Sequence, residues 1–132
     1  MKKRTLLFIL LLIIYSCSSS DDNNNNSNLF NPPKWIQGTW LYIDNEVVVG
    51  GYEFTSDNFI SIIGENQLRT NFKELLEASQ SAGNTPIVDE IITETEYSFT
   101  IDQGINSQRF SFYKVSSNKI ETGDSLIIYT KQ

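Results

Sequence analysis

From Trp35 onward, apolar side chains recur at every second position in short runs, and that period restricts the chain to half-buried strands. Thr95 to Asp102 is the clearest case. Tyr97, Phe99 and Ile101 point to one face, and Glu96, Ser98, Thr100 and Asp102 to the other. The pattern continues backward through Ile91, which predicts one strand of ten or more residues. Gly51 to Thr55 alternates with Tyr52 and Phe54 inward, and Phe110 and Phe112 alternate with Arg109 and Ser111. Trp35 to Ile43, Phe59 to Ile63, Asn118 to Thr122 and Leu126 to Thr130 complete the expected strands. Turn residues separate them at Gly50-Gly51, Ser56-Asp57-Asn58, Gln103-Gly104, Ser116-Ser117-Asn118 and Gly123-Asp124.

One segment has helical spacing. Asn71 can cap it, Glu74 stands three residues on as the reciprocal partner, and Gly83 suits its end. Phe72, Leu75, Leu76 and Ser79 would share a face, so a short helix over about 71–82 is expected to cover a mouth or an edge. About seven short strands joined by tight turns predict an all-β antiparallel meander, which hides its edges best by closing into a barrel. An open, strongly curved sheet and an immunoglobulin-like sandwich are the alternatives.

The N-terminal end has another character. Lys2-Lys3-Arg4 precedes an unbroken apolar run of ten residues, Leu6 to Tyr15. As a helix this run would span about 15 Å, against a bilayer core of about 30 Å, so it suits the apolar region of an export signal rather than a membrane span. Ile14-Tyr15-Ser16-Cys17 at its end resembles the bacterial lipobox. That resemblance implies a signal peptide over 1–16, diacylglycerol on the Cys17 sulfur, and a fatty acyl chain such as palmitate on the new amine. Several acyl chains anchor a protein durably where one would not. A plain signal-peptidase site nearby is the alternative. Residues 17–31 are polar and low in complexity after the cysteine, and are expected to form a tether to a domain over 32–132. Ser20-Asp21-Asp22 resembles the acidic export signal of surface lipoproteins in Bacteroidota, which implies the outer face of the outer membrane. An ordinary solvated acidic pair, on the periplasmic face, is the alternative.

Gly38-Thr39-Trp40 resembles the Gly-x-Trp signature of lipocalins, in which the glycine lets the chain turn in tightly and the tryptophan plugs the closed end. With Pro32 to Gln37 before it, Tyr52-Glu53-Phe54-Thr55 and the later Tyr-Ser-Phe-Thr-Ile and Phe-Ser-Phe-Tyr-Lys strands, the chain is similar to small lipocalin-like lipoproteins of flavobacteria. The resemblance implies a fold and a location, not an activity. Lipocalins usually bring a basic residue near the last strand to that tryptophan. Lys131 is the one candidate at the chain end, and the sequence does not assign it the role.

Composition narrows the chemistry. The formal charge is −6, from ten basic and sixteen acidic residues. Without Lys2, Lys3 and Arg4 the balance is near −9, which argues against nucleic acid as a partner. There is no histidine, and the one cysteine lies at the processing junction, so neither a transition-metal site nor a cofactor is expected. Asp89-Glu90 and Glu94-Glu96 are the carboxylate pairs. Glu94 and Glu96 fall on the polar face of the long strand, and no catalytic residue is expected. Asp124-Ser125-Leu126 resembles the short O-glycosylation acceptor of Bacteroidota, with Ser125 as acceptor; a hairpin turn is the alternative. Two functions stay open. One is a carrier of a small hydrophobic molecule, with Trp40, Tyr52, Phe54, Tyr97, Phe99 and Phe112 as candidate pocket lining. The other is a solid barrel whose surface binds a protein or glycan. The expected anchor is directly testable: Cys17→Ala should move the protein from the carbonate-washed envelope pellet to the soluble fraction. An unmodified Cys17 sulfur in the mature wild-type protein would rule the anchor out.

Overall fold

A computed structural model describes residues 29–123 and 125–132; the expected signal, Cys17, Ser20, Asp21, Asp22 and Asp124 lie outside them. The described chain forms β1 (Gly38–Asp44), β2 (Val47–Phe54), β3 (Phe59–Ile63), β4 (Leu68–Asn71), α1 (Phe72–Ser81), β5 (Ile87–Ile92), β6 (Glu96–Asp102), β7 (Ser107–Ser116), β8 (Lys119–Thr122) and β9 (Ser125–Lys131). The strands make one antiparallel sheet in the order β4-β3-β2-β1-β9-β8-β7-β6-β5. Its first strand therefore pairs with its last, Trp40 opposite Lys131, and the meander opens only between β4 and β5, which α1 connects.

The sheet curls into a lipocalin-like half-barrel. Three strands separate β2 from β7 along the ladder, yet Phe54 of β2 lies 5.0 Å from Phe112 of β7 and 5.9 Å from Tyr97 of β6. Phe59 of β3 lies 4.9 Å from both Phe99 and Phe110. Apolar contact across the interior thus takes the place of a ladder between the two edge strands. Phe72 of α1 lies 4.8 Å from Phe59 and 5.5 Å from Phe110, touching both sides, and Leu76 is fully buried.

Local chemistry accounts for the turns. Asn45 and Glu46 both have positive φ, 48° and 66°, the type I′ geometry that a two-residue hairpin between twisted strands requires. Asn71 caps α1 by accepting from the Glu74 backbone N–H at 3.2 Å, and its own amide donates to the Glu74 carboxylate at 2.8 Å. Gly83, at φ +89°, follows the helix end. Lys73 forms an ion pair with Asp57 in the β2–β3 turn; the ammonium beside it holds the Asp57 carboxyl below the usual range.

The alternation misplaces several boundaries. The strand expected from Trp35 starts at Gly38, because Lys34 to Ile36 form a turn in which the Ile36 N–H donates to the Pro33 carbonyl. Gly50-Gly51 is not a break but lies inside β2: a Cβ at Gly51 would stand 2.2 Å from the Trp40 carbonyl, so the residue is small to let β1 approach. The single long strand ending at Asp102 is two strands. Thr93 Oγ1 accepts from the N–H groups of Thr95 and Glu96, at 3.2 and 2.8 Å, and so turns the chain between β5 and β6. Glu94 therefore sits in a turn rather than on a strand face. β4 was not expected. On α1, Leu75 is half exposed, and Phe72, Leu76 and Ser79 form the covered face.

The folded domain also begins earlier than Pro32. Phe30, assigned to the tether by its polar neighbours, is fully buried, 5.3 Å from Phe99 and 6.3 Å from Phe59. Asn31 binds Glu90 through its backbone N–H at 2.7 Å and its side-chain amide at 2.9 Å. Phe30→Ala should lower the unfolding free energy by about 3 kcal/mol. Urea denaturation of the variant, and of a chain beginning at Pro32, should show similar losses. An unchanged midpoint in both would place residues 29–31 outside the fold.

Candidate functional site

The two ends of the half-barrel differ. At one end β1 starts at Gly38, whose φ of +124° is a conformation that side chains rarely adopt. A Cβ there would also stand 2.7 Å from Lys131 Cε. Trp40, two residues on, is fully buried and donates from Nε1 to the Ile36 carbonyl at 2.6 Å. Lys131 Nζ lies 5.1 Å from the centroid of the Trp40 ring, within cation–π reach. The basic residue that the sequence left unassigned is therefore in place. Trp35 adds a second tie by donating to the Thr93 carbonyl at 3.0 Å, with Lys114 Nζ 5.9 Å from its ring.

Glu90 closes the same end. Besides Asn31, its carboxylate accepts from the Tyr97 hydroxyl at 2.6 Å. This carboxylate, half of a pair that offered no chemistry in the sequence, fastens the N-terminal segment to β5 and β6. Burial, and then this hydrogen bond, push the Tyr97 phenol well above its ordinary pKa.

The other end is unfilled. A cavity of about 500 Å³ lies on the inner face of the sheet, its walls including Tyr42, Tyr52, Ser61, Thr70, Phe72, Gln108, Phe110, Ile127 and Tyr129. Register explains the space. Tyr52 faces Ser61 and Ser61 faces Thr70, while Gly50, opposite Ile63, presents no side chain at all. Of the six residues expected to line a pocket, Tyr52 does. Tyr52 and Phe112 also line an adjoining space of about 140 Å³. Trp40, Phe54, Tyr97 and Phe99 instead fill the closed half, each 2 % exposed or less. Alternation identified inward-facing residues but not their height along the barrel. Tyr42, Phe72, Phe110, Ile127 and Tyr129 were missed, and the signal that could have found them is the set of small residues Gly50, Ser61 and Thr70 sharing their face.

Ser125, the candidate glycosylation acceptor, opens β9 and is half buried, its hydroxyl 2.9 Å from that of Thr122. Among the described residues, no three His, Cys, Asp or Glu side chains come together as a metal site would require. No described helix is long and apolar enough to cross a membrane. No protein-family model, curated protein or solved structure matches the chain.

The burial of Tyr97, with its hydrogen bond to Glu90, sets a pH dependence. The folded chain keeps Tyr97 protonated where an unfolded tyrosine ionises, near 10.0. Its contribution is therefore intact below that pH and is lost as pH rises above it, by up to about 1.4 kcal/mol per pH unit. Urea denaturation at pH 9 and pH 11 should show Tyr97→Phe losing less stability than wild type over that interval. Equal losses would mean that Tyr97 ionises as readily folded as unfolded.

Proposed function

We propose that this chain is a lipoprotein of the small lipocalin-like type found in Bacteroidota, held at the outer membrane by acyl chains on Cys17, whose domain takes up a small hydrophobic molecule. The cavity of about 500 Å³ carries this reading, since it lies within the size range of small-molecule sites and is walled largely by aromatic and aliphatic side chains. The unfilled half of the interior favours a carrier over a solid interaction module. The reading includes no catalytic step. The eleven residues between Cys17 and Leu29 would reach at most about 40 Å, which keeps the domain close to the membrane. Ser20-Asp21-Asp22 supports export to the cell surface.

The neutral fluorophore N-phenyl-1-naphthylamine tests the carrier. Wild type should bind it saturably with a micromolar Kd. Ser61→Trp, which puts an indole into the cavity, should weaken binding at least tenfold while the melting temperature stays within a few degrees. Absence of binding to wild type would refute the carrier.

A further inference from the structure

We propose that the cavity selects an uncharged, ring-bearing molecule and turns away fatty acids and other anionic amphiphiles; this rests on the carrier reading and narrows it. None of the fourteen described residues that line the cavity carries a charge. A carboxylate drawn into it would lose its water without gaining a cation, a heavy penalty in an apolar site. The nearby cations are committed elsewhere. Arg69 lies opposite Ile62 on the outer face and pairs with Glu53. Lys73 is paired with Asp57, Arg109 donates to Ser111, and Lys131 covers Trp40 at the closed end. The chain's excess of acidic residues adds a field that opposes an approaching anion.

The walls suit rings. Tyr42, Tyr52, Phe72, Phe110 and Tyr129 all line the cavity, and the contacts they make among themselves are edge-on or tilted. Such an arrangement can hold a flat ring by offset stacking and edge contacts. Ser61, Thr70 and Gln108 supply neutral donors and acceptors for a hydroxyl or carbonyl on the ligand.

A matched pair of probes isolates the charge. N-phenyl-1-naphthylamine and 8-anilinonaphthalene-1-sulfonate share one ring skeleton and differ by a sulfonate. Wild type should bind the neutral probe at least tenfold more tightly. Gln108→Lys, an exposed position on the cavity wall, should raise affinity for the sulfonate at least fivefold relative to affinity for the neutral probe. Wild-type affinities within threefold of each other, both abolished by Ser61→Trp, would overturn charge selection and leave the carrier standing. Failure of both probes to bind would overturn the two readings together.

Discussion

Phe59, the first residue of β3, touches seven aromatic rings: Phe30, Tyr52, Phe54, Phe72, Phe99, Phe110 and Phe112. These rings come from the N-terminal segment, β2, α1, β6 and β7, so one side chain joins parts of the sheet that no backbone ladder connects. Each such pair contributes about 1 kcal/mol beyond the area it buries. Position matters more than the sum. The edge strands β4 and β5 do not pair, and a sheet open along one seam needs an interior reason to stay curled. The turn before Phe59 is fixed accordingly. The Asn58 side chain accepts from the backbone N–H groups of Phe59 and Lys73, at 2.7 and 3.2 Å, so one amide oxygen holds both the start of β3 and the first turn of α1.

The cavity follows from the same register that builds this cluster. Phe54 pairs with Phe59, and two residues farther along each strand Tyr52 pairs with Ser61. Two more bring Gly50 opposite Ile63. Side-chain volume on the inner face therefore falls from one end of the β2–β3 ladder to the other. The closed half reaches interior packing around Trp40, Phe54, Tyr97 and Phe99, while the other half lacks the volume to close. A solid half and an unfilled half are thus one design: the first supplies the stability that lets the second stay unfilled.

Period two revealed what repeats locally and missed what depends on distant contact. The inward set Tyr97, Phe99 and Ile101 was readable because every member is buried. The helix was readable because its cap is a local hydrogen bond. The break at Thr93 was hidden because threonine is a strong strand former, and here its side-chain bonds to Thr95 and Glu96, with its N–H donating to the Glu96 carbonyl, turn the chain. Phe30 was hidden by its composition: one aromatic among asparagines and serines carries no periodic signal, and its burial is decided by Phe59 and Phe99, far away in sequence. Lys131 was hidden for a related reason. Its place over Trp40 exists only once β9 pairs with β1. The cavity was hidden because a strand pattern assigns faces and says nothing of where along a face the large residues stop.

The chain enters the domain at its closed end, and that bears on the proposed anchor. Asn31 is tied to Glu90 of β5, Trp35 to the turn after β5, and Trp40 to Ile36, so residues 30–40 cross the end opposite the cavity mouth. A lipid on Cys17 would draw that end toward the membrane and leave the mouth facing away from it. A span of about 40 Å exceeds the length of the longest of the strands around the cavity, about 33 Å for the ten residues of β7, so the proposed tether would permit other orientations without favouring them. Under the proposed anchor, loading from the aqueous side would need no reorientation, whereas loading from the bilayer would need the domain to turn over on its tether. The uncharged walls of the cavity would suit an uncharged ligand arriving by the first route.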